Sequence, residues 1–202
     1  QIPRRKSPPP RAWQRMLSGR RLDLLDPSPL DIEVEDIAHG LARVARWNGQ
    51  TIGDHAFSVA QHCLVVEAVC RDLSPSISTS DCLVALLHDG PEYVIGDMIS
   101  PFKAVLGPGY REFEDRLERA IHIRFGLPPV TDTKLKKLIK RADHISAWLE
   151  AVQLAGFSSR EADEIFGEPE VQSDLRLVPL PARDAQAAFV ARFNELHAEL
   201  AH

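Results

Sequence analysis

The stretch DTKLKKLIKRADHISAWLEAVQ, residues 132–153, decides the fold. Leu135, Leu138, Ile139, Ala142, Ile145, Leu149 and Val152 recur three and four residues apart, the spacing that lines up side chains on one face of an α-helix. Lys134, Lys136, Lys137, Lys140 and Arg141 decorate the rest. Working outward, the same period returns from about Asp54 to Leu73, where Val59, Cys63, Val66, Cys70 and Leu73 share a face. A third helix begins near Ser80 or Asp81, and its run Cys82–Leu87 is apolar on all sides, as in a buried helix. Further helices are expected from Asp36, as N-cap, to about Ala45, and over Tyr110–Phe125, Arg160–Phe166 and Ala182–Leu200. Ile32 and Val34 alternate as a short strand would. Trp47-Asn48-Gly49, Ser74–Ser80 and Gly96–Pro101 carry loop chemistry. The pattern predicts an all-α bundle of six or seven helices in one domain over residues 20–202. Residues 1–19, basic and Pro-rich at their start, read as a loose tail.

Composition narrows the function. Of 202 residues, 44% are hydrophobic and 26% charged, an ordinary globular balance, and the formal net charge is −5. That balance argues against a nucleic-acid polymer or an anionic membrane as partner, but leaves room for a local basic pocket that takes one small phosphate. No apolar run approaches the length of a membrane span, and the start lacks the apolar stretch of a secretory signal. The odd set Cys63, Cys70 and Cys82, without CxxC spacing, argues against a disulfide framework or a structural zinc cluster. A reducing cytoplasm is the simplest compartment. A homodimer is left open.

The chemistry lies in polar groups placed where core helices should be apolar. His62 sits on or beside the Val59/Val66 face, His88 and Asp89 end the most apolar helix, and Asp143 borders the stripe of the 132–153 helix. Taken singly, a core histidine is usually hydrogen-bonded into the core, and a lone aspartate at a helix edge is a cap or a surface charge. Taken together, four such groups from three helices offset the cost of burial by binding one cation. Two imidazoles and two carboxylates suit a single divalent transition metal (Mn, Co, Fe, Ni or Zn) better than a site built from oxygen alone.

These residues resemble the HD-domain metal-dependent phosphohydrolases, whose pattern is His on one helix, His-Asp at the end of the next, and Asp on a later one. The local text is similar to the 5′-deoxynucleotidase branch. Ser58-Val59-Ala60-Gln61-His62-Cys63 resembles S-V-A-E-H-S, and Leu86-Leu87-His88-Asp89-Gly90-Pro91-Glu92 resembles L-x-H-D-A-S-E. Gly96-Asp97-Met98-Ile99-Ser100-Pro101-Phe102-Lys103 resembles G-D-x-P-T-P-V-K, and Lys140-Arg141-Ala142-Asp143 resembles K-x-A-D. Arg46-Trp47 is similar to an Arg-Trp substrate pair, offset by about one residue. Gln61 for Glu and Gly90-Pro91 for Ala-Ser are departures.

The resemblance implies an HD-domain helical bundle with one metal held by His62, His88, Asp89 and Asp143. It implies Asp97 as general acid/base, Glu92 as a substrate- or water-positioning group, and Arg46 and Lys103 as partners of the phosphate. Trp47 would pack on the sugar or base. His39 and His55 are expected to be structural or supporting. The implied reaction is hydrolysis of a nucleotide phosphate ester, foremost a deoxynucleoside 5′-monophosphate to nucleoside and phosphate. The alternatives are a deoxynucleoside triphosphohydrolase and, in another class, a non-catalytic nucleotide-binding regulatory module.

Overall fold

The computed structural model describes residues 12–97, 108–171 and 173–200. Its longest helix is the one the 132–153 stripe demands. This helix, α6 (Thr133–Gln153), starts where the Asp132 carboxylate accepts the N–H groups of Lys134 and Leu135, and it buries Leu135, Ile139, Ala142, Ile145 and Leu149. Against it packs α2 (Val59–Leu73), capped by the Ser58 hydroxyl. On the other side of α2 lies α3 (Thr79–Leu86), capped by Ser78 and buried from Cys82 to Leu86 as its apolar text requires. The last helix, α8 (Ala182–Leu200), closes over α2 and α3 with Phe189, Phe193 and Leu196, and also packs on α1 (Val34–Leu41). The single turn α4 (Glu92–Ile95) lies on α1, and α7 (Ser159–Phe166) lies on α6. Helix α5 (Pro108–Arg124) contributes Leu117 and Ile121 to the same core.

The architecture is all-α, as expected, with eight α-helices among the described residues. The count exceeds six or seven because Gly90-Pro91 interrupts the chain after α3 and α4 then restarts as its own short turn.

Several local expectations are corrected. Residues 13–15, placed in the tail by the sequence, form β1 (Trp13–Arg15), antiparallel to β2 (Arg21–Asp23) with Gln14 opposite Leu22. Leu22 anchors this hairpin because its side chain is fully buried. Ile32 and Val34 are not a strand: Ile32 is a buried extended residue after a 3₁₀ turn, and Val34 opens α1. Asp36 does not cap α1, whose N-cap is Glu33. It lies inside the first turn and accepts the backbone N–H and hydroxyl of Ser18, fastening the hairpin to the helix. Helix α1 stops at Leu41 rather than about Ala45, because Ala45 bridges Ser58 and Arg46 N–H donates to the Phe57 carbonyl. The following helix starts at Val59 rather than about Asp54, after a loop whose Gly53 adopts φ +100°.

One close approach sets the position of α4. A Cβ on Gly40 would lie 2.7 Å from the Tyr93 carbonyl oxygen and 2.8 Å from Tyr93 Cβ, so α1 and α4 meet nearly backbone to backbone. Glu92, the first residue of α4, is buried and directly precedes Tyr93. All three cysteines are free and buried, and no described helix is long and apolar enough to cross a membrane.

Candidate metal centre

Three elements converge at one point. The α2 helix carries His62, fully buried one turn beyond its cap. The turn after α3 carries His88 and Asp89, and the middle of α6 carries Asp143. One ligand atom each from His62, His88 and Asp143 lies within 4.8 Å of the others. Asp89, expected as the fourth ligand, borders this set: its Oδ2 lies 3.2 Å from His88 Nε2 and 3.6 Å from His62 Nε2. Asp143 Oδ1 lies 3.2 Å from His62 Nε2. Gly90 lets the turn close, since a Cβ there would lie 2.8 Å from the Leu87 carbonyl oxygen and 3.2 Å from Ile121 Cδ1. The departure from Ala at this position therefore has a steric reason.

The ring nitrogens face in defined directions. His62 Nδ1 donates to Glu150 Oε1 at 2.6 Å, and His88 Nδ1 donates to the Ala85 carbonyl at 2.9 Å. In its deprotonated form each ring then presents the lone pair of Nε2. Both Nε2 atoms are buried and have no hydrogen-bond partner among the described residues; the nearby carboxylates approach them outside hydrogen-bond geometry. Two buried imidazole lone pairs converging on carboxylates are what a cation recovers.

The carboxylates favour protonated rings, so a cation would bind here by displacing their protons. Burial is the largest influence on His62 and lowers its pKa, as does Arg46. Glu150 and Asp143 outweigh both and leave it at about 8. Burial also pulls His88 down, but Asp89 drives it well above the usual histidine value. Burial alone would raise the carboxylates. The imidazoles instead hold Asp89, Asp143 and Glu150 below their ordinary range, with Arg46 also acting on Asp89 and Glu150. Asp89, Asp97, Asp143 and Glu150 surround the Arg46 guanidinium, whose pKa is raised despite burial. The cluster carries excess negative charge, which a divalent cation balances.

Glu150 is the group that sequence reasoning missed. It is completely buried and has three partners. Besides His62, its Oε2 accepts Trp47 Nε1–H at 2.8 Å and Arg46 Nε–H at 3.2 Å. Arg46 also reaches Asp97, with Nη1 3.6 Å from Oδ2. The two residues assigned by resemblance to substrate therefore have protein partners: Arg46 ties Asp97 to Glu150, and the Trp47 ring meets Phe157 and Phe166 at centroid distances of 5.7 and 6.0 Å. Glu92 is buried at the start of α4, and Asp97 follows Gly96 with only a partly exposed side chain. Lys103 lies outside the described residues. His55 is exposed in the 51–58 loop and His39 is half-buried in α1; neither joins the cluster.

The chain matches no protein-family model. The uncharacterized protein RCAP_rcc00048 of Rhodobacter capsulatus is 59% identical to it over 188 residues, covering 92% of this chain and 96% of the relative. The uncharacterized protein YfdR of Escherichia coli is 31% identical over 166 residues, covering 82% of this chain and 85% of the relative.

Proposed function

This chain belongs to the family of RCAP_rcc00048 and YfdR, and we propose that it is a metal-dependent phosphohydrolase that cleaves a nucleotide phosphate ester, foremost a deoxynucleoside 5′-monophosphate. The observation that carries the reading is the pair of buried Nε2 lone pairs on His62 and His88, each fixed by a hydrogen bond at Nδ1 and converging with Asp143. The resemblance of the text around these residues to the HD-domain phosphohydrolases supplies the reaction class.

In this reading His62, His88, Asp89 and Asp143 hold one divalent transition metal. Such an ion acts as a Lewis acid on a phosphoryl oxygen and lowers the pKa of a coordinated water, to roughly 7 in the best zinc cases. The chain's own groups do the rest. Glu150 keeps His62 in the tautomer that offers Nε2, and it makes that nitrogen more basic. Asp97, held by Arg46 at the edge of the cluster, moves the proton to or from the attacking and leaving oxygens. Glu92 and Lys103 stand as positioning groups for water and phosphate by resemblance. Arg46 brings positive charge to where phosphate charge would gather. Release of triphosphate instead of phosphate is the second enzymatic reading, and a regulatory nucleotide-binding module is the reading of another class.

The test is elemental analysis together with product analysis. Purified protein should hold about one transition-metal ion per chain and, with added Mn or Co, release inorganic phosphate from deoxynucleoside monophosphates. The His88→Ala and Asp143→Ala variants should lose the ion. Full metal occupancy in both variants, or no hydrolysis across a nucleotide panel in the loaded protein, would overturn the proposal.

A further inference from the structure

A groove of about 530 Å³ opens at His88 and Asp143 and runs between α3, α5 and α6. That volume is within the ~300–1,000 Å³ of small-molecule sites. Its apolar surface is Val84 and Ile139, its α6 rim carries Lys136 and Lys140, and Glu114, Glu118 and Thr131 complete the lining. Behind Glu118 stands His122, which is 1% exposed. His122 donates Nδ1–H to the Pro128 carbonyl at 2.9 Å, so its Nε2 carries a lone pair, and that atom lies 3.9 Å from Glu118 Oε1. Among the described residues neither His122 Nε2 nor Thr131 Oγ1 has a hydrogen-bond partner, and both are buried. Burial raises the Glu118 pKa; once ionised, its carboxylate and the His122 lone pair are two acceptors facing one another.

We propose, resting on the phosphohydrolase reading, that this groove takes the nucleoside half of the substrate and that Glu118, backed by His122 and Thr131, selects bases bearing an exocyclic amine. An amino group brings two N–H donors to a wall of acceptors. A carbonyl oxygen in the same place would face the Glu118 carboxylate and be repelled. Lys136 and Lys140 at the rim offset the acidic charge of Glu114 and Glu118, and Val84 and Ile139 give the ring an apolar surface. The metal centre at one end leaves the phosphorus next to the ligands while the base extends along the groove.

Cytosine and uracil nucleotides are a pair of equal ring size, differing at C4 by an amine against a carbonyl and at N3 by a lone pair against an N–H. Binding of the unphosphorylated deoxynucleosides, which the enzyme cannot hydrolyse, is measured by calorimetry on the full chain. The kcat/KM for the two 5′-monophosphates is measured beside it. Wild type should prefer the cytosine member roughly tenfold or more, the size of a hydrogen bond to a charged group. Glu118→Gln should reduce that preference in both assays. Thr131→Val, which keeps the side-chain shape, should weaken deoxycytidine binding and supplies the same readout if Glu118→Gln does not fold. Equal binding of the two nucleosides by wild type overturns the proposal. So does a preference that survives in both folded variants, which would make Glu118–His122 an internal ion pair. A base preference without hydrolysis of any phosphate ester upholds the groove and removes the hydrolase reading. Hydrolysis without a base preference does the reverse.

Discussion

Replacing Glu150 by Gln separates the metal centre's supporting shell from its ligands. The substitution keeps the side-chain volume and removes one charge. It also takes away an acceptor, because Glu150 serves donors at both oxygens: His62 Nδ1–H at 2.6 Å on Oε1, and Trp47 Nε1–H at 2.8 Å with Arg46 Nε–H at 3.2 Å on Oε2. A glutamine has one oxygen for these two sides. If the oxygen turns to His62, the amide NH₂ confronts Trp47 and Arg46, and a buried unsatisfied donor costs about 1–3 kcal/mol of stability. If it turns to Trp47 and Arg46, the NH₂ faces His62 Nδ1, and the imidazole must abandon the tautomer that presents Nε2. Loss of such a partner typically weakens metal binding ~10–100-fold, or about 1.4–2.7 kcal/mol. The first orientation falls at the lower end of that range with a lower melting temperature, the second at the upper end. Chelator competition with Mn or Co, read beside thermal unfolding, distinguishes them. A dissociation constant within about twofold of wild type, with unchanged melting, would refute the role assigned to Glu150.

Metal affinity should fall on acidification below about pH 8. His62 holds a proton below its raised pKa of about 8, His88 is raised as well, and the ion needs both lone pairs. Each displaced proton gives about tenfold in affinity per pH unit, and chelator competition that finds no change between about pH 6 and 8 would mean that neither imidazole gives up a proton. The lowered carboxylates stay ionised across that window and add nothing to the slope. Asp97→Asn should keep its metal and lose ~10²–10⁴-fold in turnover; near-normal turnover would reduce Asp97 to a partner of Arg46. Gly40→Ala should cost about 1–3 kcal/mol, because its Cβ would overlap the Tyr93 backbone; calorimetric unfolding that shows no loss would mean α1 and α4 can part freely. Trp47→Phe keeps an aromatic ring against Phe157 and Phe166 but deletes the bond to Glu150. It should cost about 1 kcal/mol of stability and leave nucleotide KM unchanged at matched metal content, whereas a raised KM would put the ring on the substrate.

What the sequence made legible follows from period. A stripe of apolar residues at helical spacing identifies α6 and α2, and an all-apolar run identifies α3. His62, His88, Asp89 and Asp143 then stand out as polar groups on those surfaces. The missed parts depend on contacts far apart in the chain. The β1–β2 hairpin has three-residue strands rich in Arg, too short for an alternation to register, and its anchor is the single buried Leu22. The Arg46–Gly49 turn is placed by the Ala45–Ser58 bridge and by partners more than a hundred residues away. Glu150 belongs to none of the motifs and so does not stand out. A signal was present: it lies seven residues after Asp143, two turns along the same face, inside an apolar stretch with no basic residue beside it.

The buried carboxylate also accounts for a local strain. Trp47 and Asn48 both adopt left-handed conformations, at φ 56° and 50°. Such residues cost of order 1–3 kcal/mol each and persist where surrounding structure holds them. Here the Trp47 indole N–H bond to Glu150 and the ring contacts with Phe157 and Phe166 supply the hold. Arg46, one residue earlier, then reaches Glu150 and Asp97 from the same turn. An Arg-Trp pair in a loop and a histidine on a helix are joined through one glutamate on α6. That junction gives the Arg46-Trp47 text a place beside the candidate metal ligands, because it fixes both the His62 ring and the Asp97 carboxylate.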